Sequence, residues 1–133
     1  MSLLDKYIEE MGEDTSIDEF NMKEVQMKLP AIKHKWAGRL IRIKIQIAEL
    51  SRKKKNLVEK STEQLIEDSP VKLTATTVKQ QVEKSDLIKQ LNKELQDLYL
   101  AQEFLEKVEK ILNSMTFDIK NLTDIIKLET QRQ

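Results

Sequence analysis

The sequence predicts an all-α fold of long helices with coiled-coil-like apolar stripes, and three observations lead to this prediction. The chain has two glycines and two prolines among 133 residues, which leaves few turns for a β or α/β fold. Charged residues make up 35% of the chain. Apolar residues recur at steps of three and four over long stretches, which is the spacing of one helix face. The length predicts a single domain with a modest core.

The N-terminal part of the chain is acidic. Residues 1–16 form a first segment, in which a short amphipathic helix at 3–11 would end at Gly12. Capping residues then predict a new helix from about Asp18. Pro30 is expected to kink or break that helix, because proline lacks a backbone N–H donor.

A long basic helical segment is predicted at 17–67, with its helix continuous from about residue 31. Trp36, Leu40, Ile43 and Ile47 follow one another at steps of four, three and four and form one apolar stripe. Trp36 opens this stripe, so we expect it in the core rather than in a base-stacking role. A helix of this length is too long for one small globule to cover, which favours association of several copies.

The net charge of the chain is zero, but the charges are segregated. Residues 1–30 carry eight acids and three bases, residues 31–61 carry two acids and ten bases, and residues 62–133 carry thirteen acids and ten bases. Such a block favours an anionic partner over a helix face that is merely solvated. Lysine and arginine would make sequence-independent phosphate contacts here. The candidate nucleic-acid-binding residues are Lys35, Arg39, Arg42, Lys44, Arg52, Lys53, Lys54, Lys55 and Lys60.

The C-terminal part is predicted to be a loop followed by helices. Residues 68–77 read as a loop, since Ser69-Pro70 terminates a helix and β-branched residues follow. The segment 78–133 is predicted to be a helical oligomerisation segment, with a helix from about Thr77, a break at 113–116 and a short final helix. Its apolar stripe approaches a heptad repeat and is wider than a dimer needs. The candidate oligomerisation residues are Leu91, Leu95, Leu98, Leu105, Val108, Leu112, Ile119, Leu122 and Ile126.

Catalysis and metal binding are not expected from this sequence. The chain has no cysteine, and its one histidine, His34, has Gly38 rather than a second ligand four residues later. The motifs of phosphate-binding loops, dinucleotide folds, hydrolases and metalloproteases do not occur. We therefore expect no enzyme activity, no cofactor, no metal and no small-molecule substrate. The acidic N-terminus and the lack of a long apolar run predict a soluble, intracellular protein without a membrane partner.

Several short motifs follow one another along the chain in a defined order and spacing. Ile17-Asp18 is followed eighteen residues later by Lys35-Trp36, which begins a basic, apolar-striped helix. A polar loop and a Leu-rich helix come next. The closing motif is Phe117-x-Ile119-Lys120-x-x-x-Asp124-x-x-x-x-Glu129. The order and spacing of these motifs resemble those of the UvsY family of phage recombination mediator proteins, and the resemblance covers most of the chain from residue 17 onward.

This resemblance implies a small helical protein that forms a closed ring of identical subunits and binds single-stranded DNA. It further implies help in loading a RecA-like recombinase onto DNA coated by a single-strand-binding protein, in the cytoplasm of the infected host cell. The alternative from another class is a helical scaffold or coiled-coil adaptor without nucleic-acid binding. Salt-dependent DNA binding distinguishes the two.

The resemblance also implies DNA-binding positions late in the long helix. The family's Lys-Lys pair falls on Lys54 and Lys55. The Leu-Lys-x-Arg run that follows in the family is not matched, and of its bases only Lys60 remains. Arg52 and Lys53 would compensate for the missing charge.

Overall fold

The computed structural model describes residues 2–132, and every regular element within that range is an α-helix. The predicted all-α fold class is confirmed. The helices are α1 (Leu3–Asp14), α2 (Met22–Asp68), α3 (Ala75–Glu83) and α4 (Asp86–Gln131). The outer ends of the first and last predicted segments, residues 1 and 133, lie outside the described range.

Helix α1 begins with a capping box. The Ser2 hydroxyl accepts a hydrogen bond from the Asp5 backbone N–H, and the Asp5 carboxylate accepts one from the Ser2 backbone. The predicted end at Gly12 is wrong, because Gly12 does not adopt the positive φ of a terminating glycine and the helix continues to Asp14.

Helix α2 begins four residues later than Asp18 and runs without a break through Pro30. The Asp18 carboxylate accepts hydrogen bonds from the backbone N–H groups of Phe20 and Asn21, so it holds a turn that precedes the helix. Pro30 is exposed, and a proline there removes one backbone donor on the solvent side. A break at Pro30 is therefore excluded, whereas the kink expected there stays a prediction.

The helix predicted from Thr77 onward is two helices. The Thr74 hydroxyl accepts a hydrogen bond from the Thr77 backbone N–H at 3.2 Å and caps α3, which therefore starts inside the predicted loop. Helix α3 ends at Glu83. The Ser85 carbonyl then accepts the first helical hydrogen bond of α4, from the Lys89 N–H at 3.0 Å.

The predicted break at 113–116 does not occur, and α4 continues to Gln131. The Ser114 hydroxyl donates to the Ile111 carbonyl at 2.8 Å, which is compatible with a helix interior. Met115 is 2% exposed and so belongs to the buried stripe rather than to a turn.

The helices contribute to two compact units. The first unit comprises the residues up to Arg42 and those from Ala101 onward, and the second comprises Ile43–Leu100. The buried side chains of the first unit are Met11, Leu29, Trp36, Leu40, Ala101, Leu105, Val108, Leu112, Met115 and Ile119. Those of the second unit are Ile43, Ile47, Val78, Val82, Ile88, Leu91 and Leu95. The prediction that Trp36 is a core residue is confirmed.

Candidate nucleic-acid interface

The second unit contains a groove bordered by α2 and the first turns of α4, which we call the basic groove. Its volume is about 390 Å³. The lining residues are Glu49, Arg52, Lys53, Asn56, Leu57 and Lys60 from α2, and Leu87 and Leu91 from α4.

Helical spacing explains why these α2 residues share a face. Glu49, Lys53, Asn56 and Lys60 follow at steps of four, three and four, which places them one above another along the helix. Leu57 lies beside this row and is half-buried. The sequence therefore puts a charged row next to an apolar floor.

Three cationic side chains line the basic groove. Arg52, Lys53 and Lys60 are exposed, and none of them belongs to an ion pair formed within residues 2–132. Glu49 is the one acid among the lining residues. Three cations against one carboxylate give a local excess of positive charge, which attracts phosphate. An apolar floor beside such cations can accept the face of a nucleobase.

The three consecutive lysines at 53–55 point in different directions, since successive helical residues are rotated by about 100°. Lys54 is half-buried and lines a separate, mainly apolar groove of about 530 Å³ in the second unit, together with Lys79 from α3. Lys55 and Lys44 are exposed in the second unit, and Arg42 is exposed in the first.

Two of the predicted DNA-binding residues, Lys35 and Arg39, have carboxylate partners in α1. The Lys35 Nζ lies 3.0 Å from Glu10 Oε1 and 2.6 Å from Asp14 Oδ2. The Arg39 guanidinium forms an ion pair with the other oxygen of Glu10. Both bases are thus engaged within the first unit.

Aromatic side chains complete this contact. The indole Nε1 of Trp36 donates a hydrogen bond to Asp14 Oδ2 at 2.8 Å. The Tyr7 ring meets Trp36 edge to face, with 5.6 Å between ring centroids. The Arg39 guanidinium lies 4.7 Å from the Trp36 centroid and 5.1 Å from the Tyr7 centroid, within cation–π range. We call these six residues the α1 cluster: Tyr7, Glu10, Asp14, Lys35, Trp36 and Arg39.

The contacts of the α1 cluster shift the pKa values of Glu10 and Lys35. The hydrogen bond from Arg39 is the main cause that lowers the pKa of Glu10 below its ordinary 4.5; burial opposes it and Lys35 reinforces it. Burial acts to lower the pKa of Lys35, but its hydrogen bonds to Asp14 and Glu10 outweigh burial and raise that pKa above 10.5. The contribution of Glu10 to stability is complete above pH 4.5 and is lost as the pH falls further, whereas that of Lys35 is complete below pH 10.5 and is lost on further rise.

Sequence reasoning missed the α1 cluster. Glu10 and Asp14 are four residues apart, as are Lys35 and Arg39, and the two pairs carry opposite charges. This matched spacing on two amphipathic helices is the signal that predicts such a contact.

The predicted oligomerisation residues divide into two groups. Leu91, Leu95, Leu105, Val108, Leu112 and Ile119 are buried within the chain itself, at 0–7% exposure. They therefore form the interior of the two units. Leu98, Leu122 and Ile126 are half-buried.

Neither a metal-binding cluster nor a membrane-spanning helix occurs among the described residues. Residues 2–132 bring together no group of three or more His, Cys, Asp or Glu side chains suited to hold a metal ion. Within this range no helix is both long and apolar enough to span a membrane.

Comparison with known proteins decides the family. The model of the family described as recombination, repair and ssDNA binding protein UvsY matches residues 10–132. The chain belongs to the UvsY family. The resemblance inferred from the order of short motifs is thereby confirmed.

Solved structures of the UvsY family share the fold. One crystal structure of the bacteriophage T4 recombination mediator protein UvsY (lattice type IV) gives a TM-score of 0.83 at 19% identity, over 96% of this chain and 99% of that chain. Another (lattice type II) gives 0.80 at 18% identity, over 98% of each chain. The search of curated proteins gave no match.

Proposed function

We propose that this UvsY-family chain is a recombination mediator that binds single-stranded DNA through phosphate contacts. It assists the loading of a RecA-like recombinase onto DNA coated by a single-strand-binding protein. The observation that carries the proposal is the basic groove, where Arg52, Lys53 and Lys60 border an apolar floor and form no ion pair with any carboxylate of residues 2–132. The description of the family as ssDNA-binding supports it.

The groove suits single strands better than duplexes. Phosphates contact Arg52, Lys53 and Lys60, while unstacked bases lie over Leu57 and Leu87. Bases paired within a duplex cannot present their faces to that floor. Lysine contacts carry no sequence information, so binding is non-specific and weakens with salt.

Several copies of the chain form a ring and bind one strand together. Large apolar side chains exposed in the first unit support self-association: Phe20 is 89% exposed, Met27 74% and Phe117 69%. The half-buried Leu98, Leu122 and Ile126 contribute to the same contacts. Each groove after the first then binds intramolecularly, which multiplies the affinity without any new type of contact.

The mediator acts without catalysis, in the cytoplasm of the infected host cell. By holding the strand at several points, the ring weakens the grip of the coating protein and presents the strand to the recombinase. This role needs reversible, salt-sensitive contacts rather than a reactive group.

A loading assay tests the proposal. The recombinase and the single-strand-binding protein of the phage that encodes the chain are mixed with oligo-dT, and ssDNA-dependent ATP hydrolysis by the recombinase is followed. We expect the chain to shorten the lag on coated strands and to have little effect on bare strands. An unchanged lag on coated strands, at concentrations that saturate the DNA, would contradict a mediator role and favour a helical scaffold.

A further inference from the structure

In the α1 cluster, two carboxylates of α1 bind Lys35 and Arg39 of α2. Phosphate oxygens bind such cations in the same way. We propose that Lys35, Trp36 and Arg39 form a second site for single-stranded DNA, which α1 occupies in the described state and from which the strand displaces it. This inference rests on the proposed function, because it needs a chain that binds single-stranded DNA through the basic groove.

The contacts of α1 are those that a nucleotide would make. The Glu10 and Asp14 oxygens lie 2.6–3.0 Å from the Lys35 Nζ, which is the range of charge-assisted hydrogen bonds to phosphate. The guanidinium of Arg39 binds Glu10 and also lies near the Trp36 ring, as guanidinium groups do where they bind phosphate beside a stacked base. Exchange of carboxylate for phosphate therefore keeps both the charge and the donors satisfied.

Outside the α1 cluster, few side chains of helix α1 are shielded from solvent, among them the half-buried Leu4. Of its twelve residues Met11 is the buried one. The ionic partners stay partly accessible, with side-chain exposures of 33% for Lys35, 35% for Glu10 and 23% for Arg39. Water and competing anions can therefore reach the contact.

The connection between α1 and α2 permits α1 to leave. Residues 15–21 are non-helical, and seven residues can extend over about 23 Å. With α1 in place, Trp36 is 2% exposed. Departure of α1 removes the Tyr7 ring and the Asp14 carboxylate from the Trp36 side chain. The freed indole is then available to stack on a base.

A pair of double variants with equal charge tests the proposal. Glu10→Gln with Asp14→Asn removes the two carboxylates of the cluster. Glu9→Gln with Glu13→Gln removes two exposed carboxylates of the same helix that take no part in the cluster. Both variants gain two units of net charge, so long-range attraction to DNA changes equally.

We expect the Glu10→Gln, Asp14→Asn variant, which we call the cluster variant, to bind labelled oligo-dT more tightly than the wild type. Two more phosphate contacts, at about 0.7 each, make the slope of log K against log salt steeper by about 1.4. This change corresponds to about 25-fold tighter binding at 0.1 M salt. The control variant should stay within a few-fold of the wild type. Circular dichroism checks that both keep the helix content. Equal affinities for the two variants would overturn the proposal.

Trp36 gives a second readout in both the wild type and the cluster variant, since it is the one tryptophan of the chain. Saturating oligo-dT should quench the Trp36 fluorescence of the wild type, and the cluster variant should reach the same quenching at a lower strand concentration. Emission unchanged at saturation would overturn the proposal even if DNA binds. Loss of all oligo-dT binding, by contrast, would refute the proposed function itself.

Discussion

Replacing Leu105 by Asp is expected to abolish the cooperative unfolding transition of the chain. Leu105 is 1% exposed and is among the largest fully buried side chains. Removing a buried leucine side chain costs about 2–5 kcal/mol. Placing a carboxyl group without a partner in that site costs roughly a further 1–3 kcal/mol even when it is uncharged. The sum approaches the about 5–15 kcal/mol that stabilises a typical domain.

The matched control for Leu105→Asp is Ile111→Asp, on the same helix at 45% exposure. Thermal melts followed by circular dichroism should show a lost or strongly lowered transition for the first variant and a nearly native one for the second. Light scattering on the control also reports whether the exposed face of α4 contacts another copy. A native melting temperature for Leu105→Asp would contradict the core described for the first unit.

The triple variant Arg52→Ala, Lys53→Ala, Lys60→Ala should weaken binding to oligo-dT by about 100-fold at 0.1 M salt. Three lost phosphate contacts, at about 0.7 each, make the slope of log K against log salt shallower by about 2. Because the three side chains are exposed, helix content should not change.

A control with the same change in charge is Lys89→Ala, Lys93→Ala, Lys110→Ala, which removes three exposed lysines of α4 that do not line the basic groove. We expect it to change the slope by much less. Similar losses for the two triple variants would mean that net charge, rather than the groove, determines binding. A triple variant at 53–55 would be less informative, since Lys54 lines a different groove.

Much of the fold could be predicted because it follows from local spacing. The steps from Trp36 to Ile47 specify a helix face, and all four stripe residues are buried at 1–9% exposure. Helix ends were harder to predict. Ser114 and Ser85 are the same residue type, yet one donates back to the preceding turn and the other begins a helix. A serine alone therefore does not specify where a helix ends.

The functional surface could be predicted in composition but not in geometry. A block of ten bases indicates an anionic partner, but the sequence does not tell which bases find carboxylates within the fold. Lys35 and Arg39 do so through residues 21–29 positions away. Likewise, an apolar stripe such as Leu105–Leu112 has the same spacing whether it is covered by its own chain or by another copy.

The central claim is that the chain binds single-stranded DNA through phosphate contacts. It is tested most directly by fluorescence anisotropy of labelled oligo-dT and its duplex counterpart at two salt concentrations, on protein whose mass is fixed by light scattering. We expect tight, steeply salt-dependent binding that favours the single strand, by a species several times the mass of one chain. Absence of binding at low salt, or equal salt-independent binding to both DNAs, would contradict the account.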